Sequence, residues 1–402
     1  MNILFVGHYG GRNLGDEIIL LAQIQQFNKE FEGDNTFYVF SYDEKFSLDL
    51  YKKYNINIKT IKGFNLRNFY SSYLDQKQKI NEVDLIVIGG GGLIQDVYFS
   101  YGIFRYVLPC LIGYKLNKKI ITYSLGVYRF NNKINKRIFS SLLEFISVIS
   151  VRDIVSKNEC EKLTQKKIYQ IPDSALMFDI KALPDSRNNI KYENKYYVTI
   201  MLRDFFEMYL EDFVLKVKEL LKDVDSNTKV IDIIVFENNN FERKIAETLK
   251  SLLRNEEIEI FIKDNFDPIN YLQDLNSSEL VISGRLHGMI PSVLLEKKFI
   301  PLSYSPKMSS FCIENNYKFI DIEKLKDNNF FFKDFINTPN LKPNTSILNS
   351  DLGAFNRKVK EVFEKNQSIK KKKSYNWIYF AGGYLLIKHV FNTLFKIKYK
   401  KE

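Results

Sequence analysis

The segment Ser283-Gly284-Arg285-Leu286-His287-Gly288-Met289 concentrates more reactive chemistry than any other stretch of this chain. Arginine offers a planar fork to a carboxylate or phosphate, and a histidine two residues on can donate or accept a proton near neutral pH. The flanking glycines let the backbone approach a ligand closely. The chain holds three histidines. A lone histidine is more often structural, but this one stands beside an arginine where a β-branched run gives way to a helical pattern, the place where open α/β sheets bind ligands. Ser303-Tyr304-Ser305-Pro306-Lys307 follows the next apolar run and brings Tyr304 and Lys307 to the same edge. Arg203 ends the first strand of the second half, and Arg152 follows Ile149-Ser150-Val151. These cations are candidates for holding an anionic substrate, with a local salt bridge as the alternative for Arg152 and Arg203.

Two glycine-rich turns could bring backbone against a ligand. The first strand runs into Gly7-His8-Tyr9-Gly10-Gly11-Arg12-Asn13-Leu14-Gly15-Asp16-Glu17, with Asn13 and Gly15 in the turn. The spacing is neither GxGxxG nor GxxxxGK[ST], so nicotinamide and ATP readings are disfavoured. Asp16 and Glu17 either complement a helix dipole or hold sugar hydroxyls and shuttle a proton. Gly89-Gly90-Gly91-Gly92-Leu93-Ile94-Gln95-Asp96 closes another apolar run. Four consecutive glycines cost chain entropy, so Gly90, Gly91 and Gln95 are expected to line a cleft. Asp96 is read there as a hydroxyl ligand or base, or else as an N-cap. Cys110, Cys160 and Cys312 are scattered and form no CxxC pair, which excludes a disulfide framework, and no cluster has metal-ligand spacing. Neither a metal nor an organic cofactor is expected.

Strand-like runs alternating with helical patterns must position these residues. Asn2 to Val6, Thr36 to Phe40, Ile56 to Ile61, Asp84 to Ile88, Lys119 to Ser124 and Ile146 to Val151 predict strands of a doubly wound α/β domain. The alternation restarts after a polar stretch at 183–192, with strands at Tyr197 to Leu202, Val230 to Phe236, Glu257 to Ile262, Leu280 to Ser283 and Phe299 to Ser303. The expected organisation is one Rossmann-like domain over 1–190, a second over 191–349 facing it across a cleft, and C-terminal helices over 350–402.

Of 402 residues, 45% are hydrophobic and 27% charged, which excludes disordered, collagenous and coiled-coil classes. The net charge is +11, but residues 366–402 hold nine lysines and one glutamate, leaving +3 for the rest. Nucleic acid is therefore not an expected partner. The tail joins Lys370 to Lys373 to an aromatic stretch whose apolar core, Trp377 to Ile387, has eleven residues. That is short of the roughly 20 needed to span a bilayer. It reads either as an interfacial helix on an anionic membrane, through residues 370–402, or as a helix packed on the body. The N-terminus lacks the features of a secretory signal, so the expected location is cytoplasmic, peripheral to the inner membrane face if the tail binds lipid.

Taken in order, the Asn13 to Glu17 turn, the GGGGLIQD block, SVRD, Arg203, SGRLHG and SYSPK resemble the polysaccharide pyruvyl transferase family over about residues 1 to 310. The resemblance implies a GT-B-like fold and transfer of the pyruvyl group of phosphoenolpyruvate to two hydroxyls of a sugar as a cyclic ketal. It also implies that Arg203, Arg285 and His287 bind the donor, joined by Arg152 and Lys307. The implied acceptor is a cell-surface polysaccharide or its lipid-linked precursor. Ser305 stands where many members carry aspartate, and Asp173-Ser174-Ala175 lacks their proline. On this reading His287 is the acid, while Asp16, Glu17 or Asp96 orients or deprotonates the hydroxyls. The competing expectations are a GT-B glycosyltransferase using a nucleotide sugar and a non-catalytic, membrane-docked scaffold.

Overall fold

Runs such as Ile3 to Val6 and Leu85 to Ile88 have every side chain buried, which requires strands covered on both faces, as in a parallel sheet. The computed structural model describes residues 1–63, 69–96, 103–182, 195–224, 228–255, 257–327, 329–338, 345–364 and 378. The chain separates by contact into two units. Unit 1 comprises Met1–Gly10, Ile19–Met177 and Ser346–Glu402, and unit 2 comprises Gly11–Ile18 and Phe178–Thr345.

The first half of the chain carries β1 (Asn2–Tyr9), α1 (Leu14–Glu30), β2 (Thr36–Ser41), α2 (Glu44–Lys53), β3 (Ile58–Lys62), α3 (Phe69–Asn81), β4 (Leu85–Gly89), α4 (Phe104–Lys115) and β5 (Lys119–Tyr123). These strands form a five-stranded parallel sheet, β3-β2-β1-β4-β5. Then come α5 (Lys133–Phe145), β6 (Ile149–Val151), α6 (Ile154–Glu161) and β7 (Ile168–Gln170). The strand expected from Ile146 is shorter and pairs with β7 in a separate two-stranded sheet, tied to the larger one by isolated bridges.

The later strands and helices repeat the pattern: β8 (Lys195–Met201), α7 (Leu210–Lys222), β9 (Thr228–Ile234), α8 (Asn240–Leu253), β10 (Ile258–Lys263), α9 (Pro268–Ser277), β11 (Leu280–Ser283), α10 (Leu286–Leu294), β12 (Lys298–Ser303), α11 (Pro306–Glu314) and β13 (Ile320–Asp321). The sheet order is β10-β9-β8-β11-β12-β13, all parallel. Side-chain caps start two of its helices: Asn239 accepts from the Glu242 amide at α8, and Asp267 from the Ile269 and Asn270 amides at α9.

The last helix, α12 (Thr345–Glu364), begins ahead of residue 350, where the C-terminal helices are expected from the sequence. It docks on unit 1, where Phe355 and Val359 are buried, Phe355 meets Tyr123 edge-on, and Lys360 pairs with Glu30. From Ser346 on, α12 therefore groups with unit 1. The basic tail at 370–402 lies outside the described residues except for Ile378, which is fully buried in the unit 1 core. Among the described residues no helix is long and apolar enough to cross a membrane.

Asp232 on β9 is the most perturbed carboxyl for which a value is resolved. Burial pushes it up from 3.8 to about 6, with Lys263 opposing and Asp274 adding to the rise. Its folded value lies above its unfolded one, so the native state is favoured below the unfolded value and loses that advantage as pH rises through about 6. Asp232→Asn should therefore raise stability at pH 7.5 by on the order of 2 kcal/mol, with the gain shrinking toward pH 4. Denaturant melts at the two pH values check this, and an equal effect at both would contradict it.

Candidate functional site

Three neighbouring strands of unit 2 end on side chains that could bind an anion, and a fourth ends beside them on a carboxylate. Arg203 lies two residues beyond β8, Arg285 two beyond β11, and Ser305 two beyond β12, while Glu237 lies three beyond β9. The strands are adjacent in the order β9-β8-β11-β12. Strand ends of this kind form the ligand edge of an open α/β sheet.

Arg285 is the buried centre of this group, with its side chain 9% exposed. Its Nη2 pairs with the Glu242 carboxylate and lies 3.6 Å from Oε2 of Glu237. Its guanidinium sits over the Phe236 ring at 5.4 Å. Glu242 is buried and fixed: one carboxylate oxygen accepts the amides of Phe236 and Glu237 at 2.9 and 3.0 Å, and the other the Asn239 side-chain amide at 3.3 Å. Nε of Arg285 is buried with no hydrogen-bond partner among the described residues. Burial pulls the Arg285 guanidinium down from its ordinary value; Arg203 pulls the same way, and Tyr304, Glu237 and Asp204 oppose. Two arginine cations thus repel across this edge, which an intervening anion would reverse.

Arg203 is more open, with its side chain 20% exposed. It pairs with Asp204 at 3.1 Å and donates to the Tyr304 hydroxyl at 3.2 Å. The Tyr304 ring stacks on Phe205 at 5.0 Å, with the Arg203 guanidinium 5.4 Å from the Phe205 ring centre. Lys307 stands in the first turn of α11. Ser305, the residue before that helix, makes no side-chain cap, and its buried hydroxyl has no partner among the described residues.

His287 opens α10, with its carbonyl accepting from the Tyr271 phenol at 2.8 Å. Burial keeps that phenol protonated by pushing its pKa well up. The imidazole lies against Gly15: a Cβ there would fall 2.4 Å from Nδ1. The Gly11–Ile18 segment is pinned beside it. Leu14 donates to the Phe236 carbonyl at 3.1 Å, Asn238 donates to that of Arg12 at 3.1 Å, and Asn13 bridges Glu237. The Asn13 side chain accepts the Gly15 and Asp16 amides at 3.0 and 3.3 Å, capping α1. Asp16 is half-buried and Glu17 completely buried in that first turn.

Arg152 and Asp96 lie in unit 1, and both expectations for them are corrected. Arg152 is saturated: it pairs with Asp153 and Asp173, each at 3.1 Å, and donates to the Tyr128 hydroxyl at 2.8 Å. Burial disfavours the charge, but Tyr128, Asp173 and Asp153 outweigh it and raise its pKa. It is a buried structural ion network rather than a donor ligand. Asp96 accepts the Asn131 and Asn132 amides, the latter at 2.7 Å, and the Asn135 side chain. It holds the entry to α5, with three of these contacts on Oδ2 and one on Oδ1. Gln95 is half-buried beside it.

The glycine block is explained by packing within unit 1. A Cβ on Gly89 would lie 2.0 Å from the Tyr123 carbonyl oxygen, and one on Gly90 would lie 1.9 Å from Ile19. Gly90 and Gly91 also adopt φ of +72° and +73°, which side chains resist. Among the described residues no His, Cys, Asp and Glu cluster could hold a metal. Sequence reasoning passed over Glu237 and Glu242. The signal was present as Asn239 followed three residues later by Glu242, a capping pair just after an apolar run.

A model of the family described as polysaccharide pyruvyl transferase matches residues 13–306. No curated protein matches the chain. Among solved structures, UDP-GlcNAc 2-epimerase from Methanocaldococcus jannaschii aligns with a TM-score of 0.59 at 13% identity, over 90% of this chain and 99% of its own. The Neisseria meningitidis UDP-GlcNAc 2-epimerase, bound to UDP-GlcNAc, aligns with a TM-score of 0.57 at 14% identity, over 91% of this chain and all of its own. At such identities the likeness is one of fold, GT-B-like with parallel sheets. The family match takes in Asn13, Arg203, Arg285, His287 and Tyr304, so the chain belongs to the polysaccharide pyruvyl transferase family and is a transferase enzyme.

Proposed function

We propose that the protein transfers the pyruvyl group of phosphoenolpyruvate to two hydroxyls of one sugar residue, forming a cyclic ketal and releasing phosphate. The observation that carries this reading is the buried, unpartnered Nε of Arg285 beside a second arginine that repels it. Phosphoenolpyruvate bears a carboxylate and a phosphate on one small skeleton and so calls for convergent cations. Arg285 and Arg203 are the forks for these groups, Lys307 adds charge, and the free Ser305 hydroxyl is a further donor.

The reaction balances within these groups. C3 of the donor gains one proton, one sugar hydroxyl adds at C2, the C2–O bond to phosphate breaks, and the second hydroxyl closes the ring. Of the two hydroxyl protons, one replaces that delivered to C3 and the other leaves with phosphate. His287 protonates the departing phosphate, and Asp16 on the Asn13 turn orients a hydroxyl. Neither a metal nor an organic cofactor is called on. The acceptor is a sugar of a cell-surface polysaccharide or of its lipid-linked precursor. The basic, aromatic 370–402 tail supplies a contact to an anionic membrane surface.

Calorimetric titration with phosphoenolpyruvate, alongside UDP-sugars, tests the donor. Arg285→Lys keeps a cation for Glu242 but loses the fork, and should weaken phosphoenolpyruvate binding on the order of a hundredfold. Arg203→Ala should weaken it about tenfold or more with little change in stability. Binding of a UDP-sugar but not phosphoenolpyruvate by the parent protein would overturn the reading. Arg152→Ala supplies the contrast: it should lose about 3–5 kcal/mol of stability by stranding Asp173, while the remaining folded protein binds the donor as before.

A further inference from the structure

Two carboxylates meet Arg285, and they are held very differently. Glu242 is 3% exposed, is tied to two backbone amides, and its own amide donates to the Asn239 cap of α8. It cannot leave its guanidinium without stranding those amides. The Glu237 side chain is 34% exposed, and among the described residues the cation it meets is Arg285, at 3.6 Å. Glu242 already neutralises that cation. An anionic group arriving at the free Nε would place a third negative group on one guanidinium. Like charges at such separations raise the pKa of whichever acid can accept a proton.

We propose that Glu237 takes up a proton when the anionic donor binds at Arg285, so that donor binding itself loads the acid from which C3 is protonated. This rests on the donor reading above. The proton enters from solvent onto a carboxylate oxygen of Glu237 and passes to C3 as the first sugar hydroxyl adds at C2. That hydroxyl's proton then returns the balance to solvent or to the next cycle. The other charged and titratable groups around this edge have different tasks. Arg203 is paired with Asp204, Tyr304 accepts from Arg203, Asp16 belongs to the capped turn carrying Asn13, and His287 lies against Gly15. Of the carboxylates at this edge, Glu237 is the partly exposed one in contact with the arginine that carries the free donor.

The test is calorimetry of phosphoenolpyruvate binding between pH 6 and 8.5, in two buffers of different ionisation enthalpy, for the full chain and for Glu237→Gln. The free donor's phosphate is the same in both experiments, so the difference in proton uptake reports the charge of Glu237 and what it couples to. The parent should take up more protons than the variant, and its affinity should fall more steeply with rising pH. At pH 8 the variant should bind about tenfold more tightly, because a competing charge has gone. A merely structural glutamate predicts the opposite sign, weaker binding at every pH, and that result or equal proton uptake would overturn the proposal. Absence of phosphoenolpyruvate binding in both proteins, with melts showing both folded, would overturn the donor reading and this inference together. Binding by both with no difference in protons would overturn the inference alone.

Discussion

A guanidinium 9% exposed keeps its charge, and burying it is costly unless a counter-charge is fixed beside it. For Arg285 that counter-charge is Glu242, and Glu242 is fixed because it also accepts the amides of Phe236 and Glu237 and donates its own amide to the Asn239 cap of α8. The loop between β9 and α8 therefore does three things at once. It ends a strand, caps a helix and anchors the cation. The same loop holds the Gly11–Ile18 segment through the Phe236 carbonyl, the Asn238 amide and the Asn13–Glu237 bridge. Once that segment is pinned, the residue facing the His287 ring has no room for a side chain, and Gly15 stands there.

Arg152 and Arg285 look alike in the sequence, each following a short strand, and they differ in what is left over after folding. Arg152 has two carboxylates and a phenol around it, matched to its donors. Arg285 has one firmly held carboxylate, a looser one at 3.6 Å and an idle Nε. The partners that decide this, Tyr128 and Asp173 for the first and Glu237 and Glu242 for the second, lie about 20 to 50 residues away in the chain. Strand-end position is visible in sequence, whereas saturation depends on which distant loops arrive.

The same distinction runs through the fold. Fully buried parallel strands read clearly, because continuous apolar runs such as Leu280 to Ser283 have few other uses. Short pairs such as β6 and β7, three residues each, carry too little pattern to be assigned to one sheet or another. The glycine block was legible as unusual, but its cause was not. It allows close approach of backbone to Tyr123 and Ile19, which no local spacing encodes. Asp96 fell to the same difficulty, since its three asparagine partners follow more than thirty residues later.

Strand register explains how two arginines on separate strands come to one locality. Met201 on β8 is in register with Ser283 on β11, and Arg203 and Arg285 each follow by two residues. Neighbouring strands lie about 4.8 Å apart, so equal offsets from a shared register bring the two side chains to one locality without any dedicated scaffold. A donor whose carboxylate and phosphate hang from a single carbon needs cations at about that spacing. The twist of the sheet and the differing burial of the two arginines then make them unequal. The deep one, held by Glu242, keeps a fixed fork, and the open one, resting on Phe205 and Tyr304, has more room to adjust.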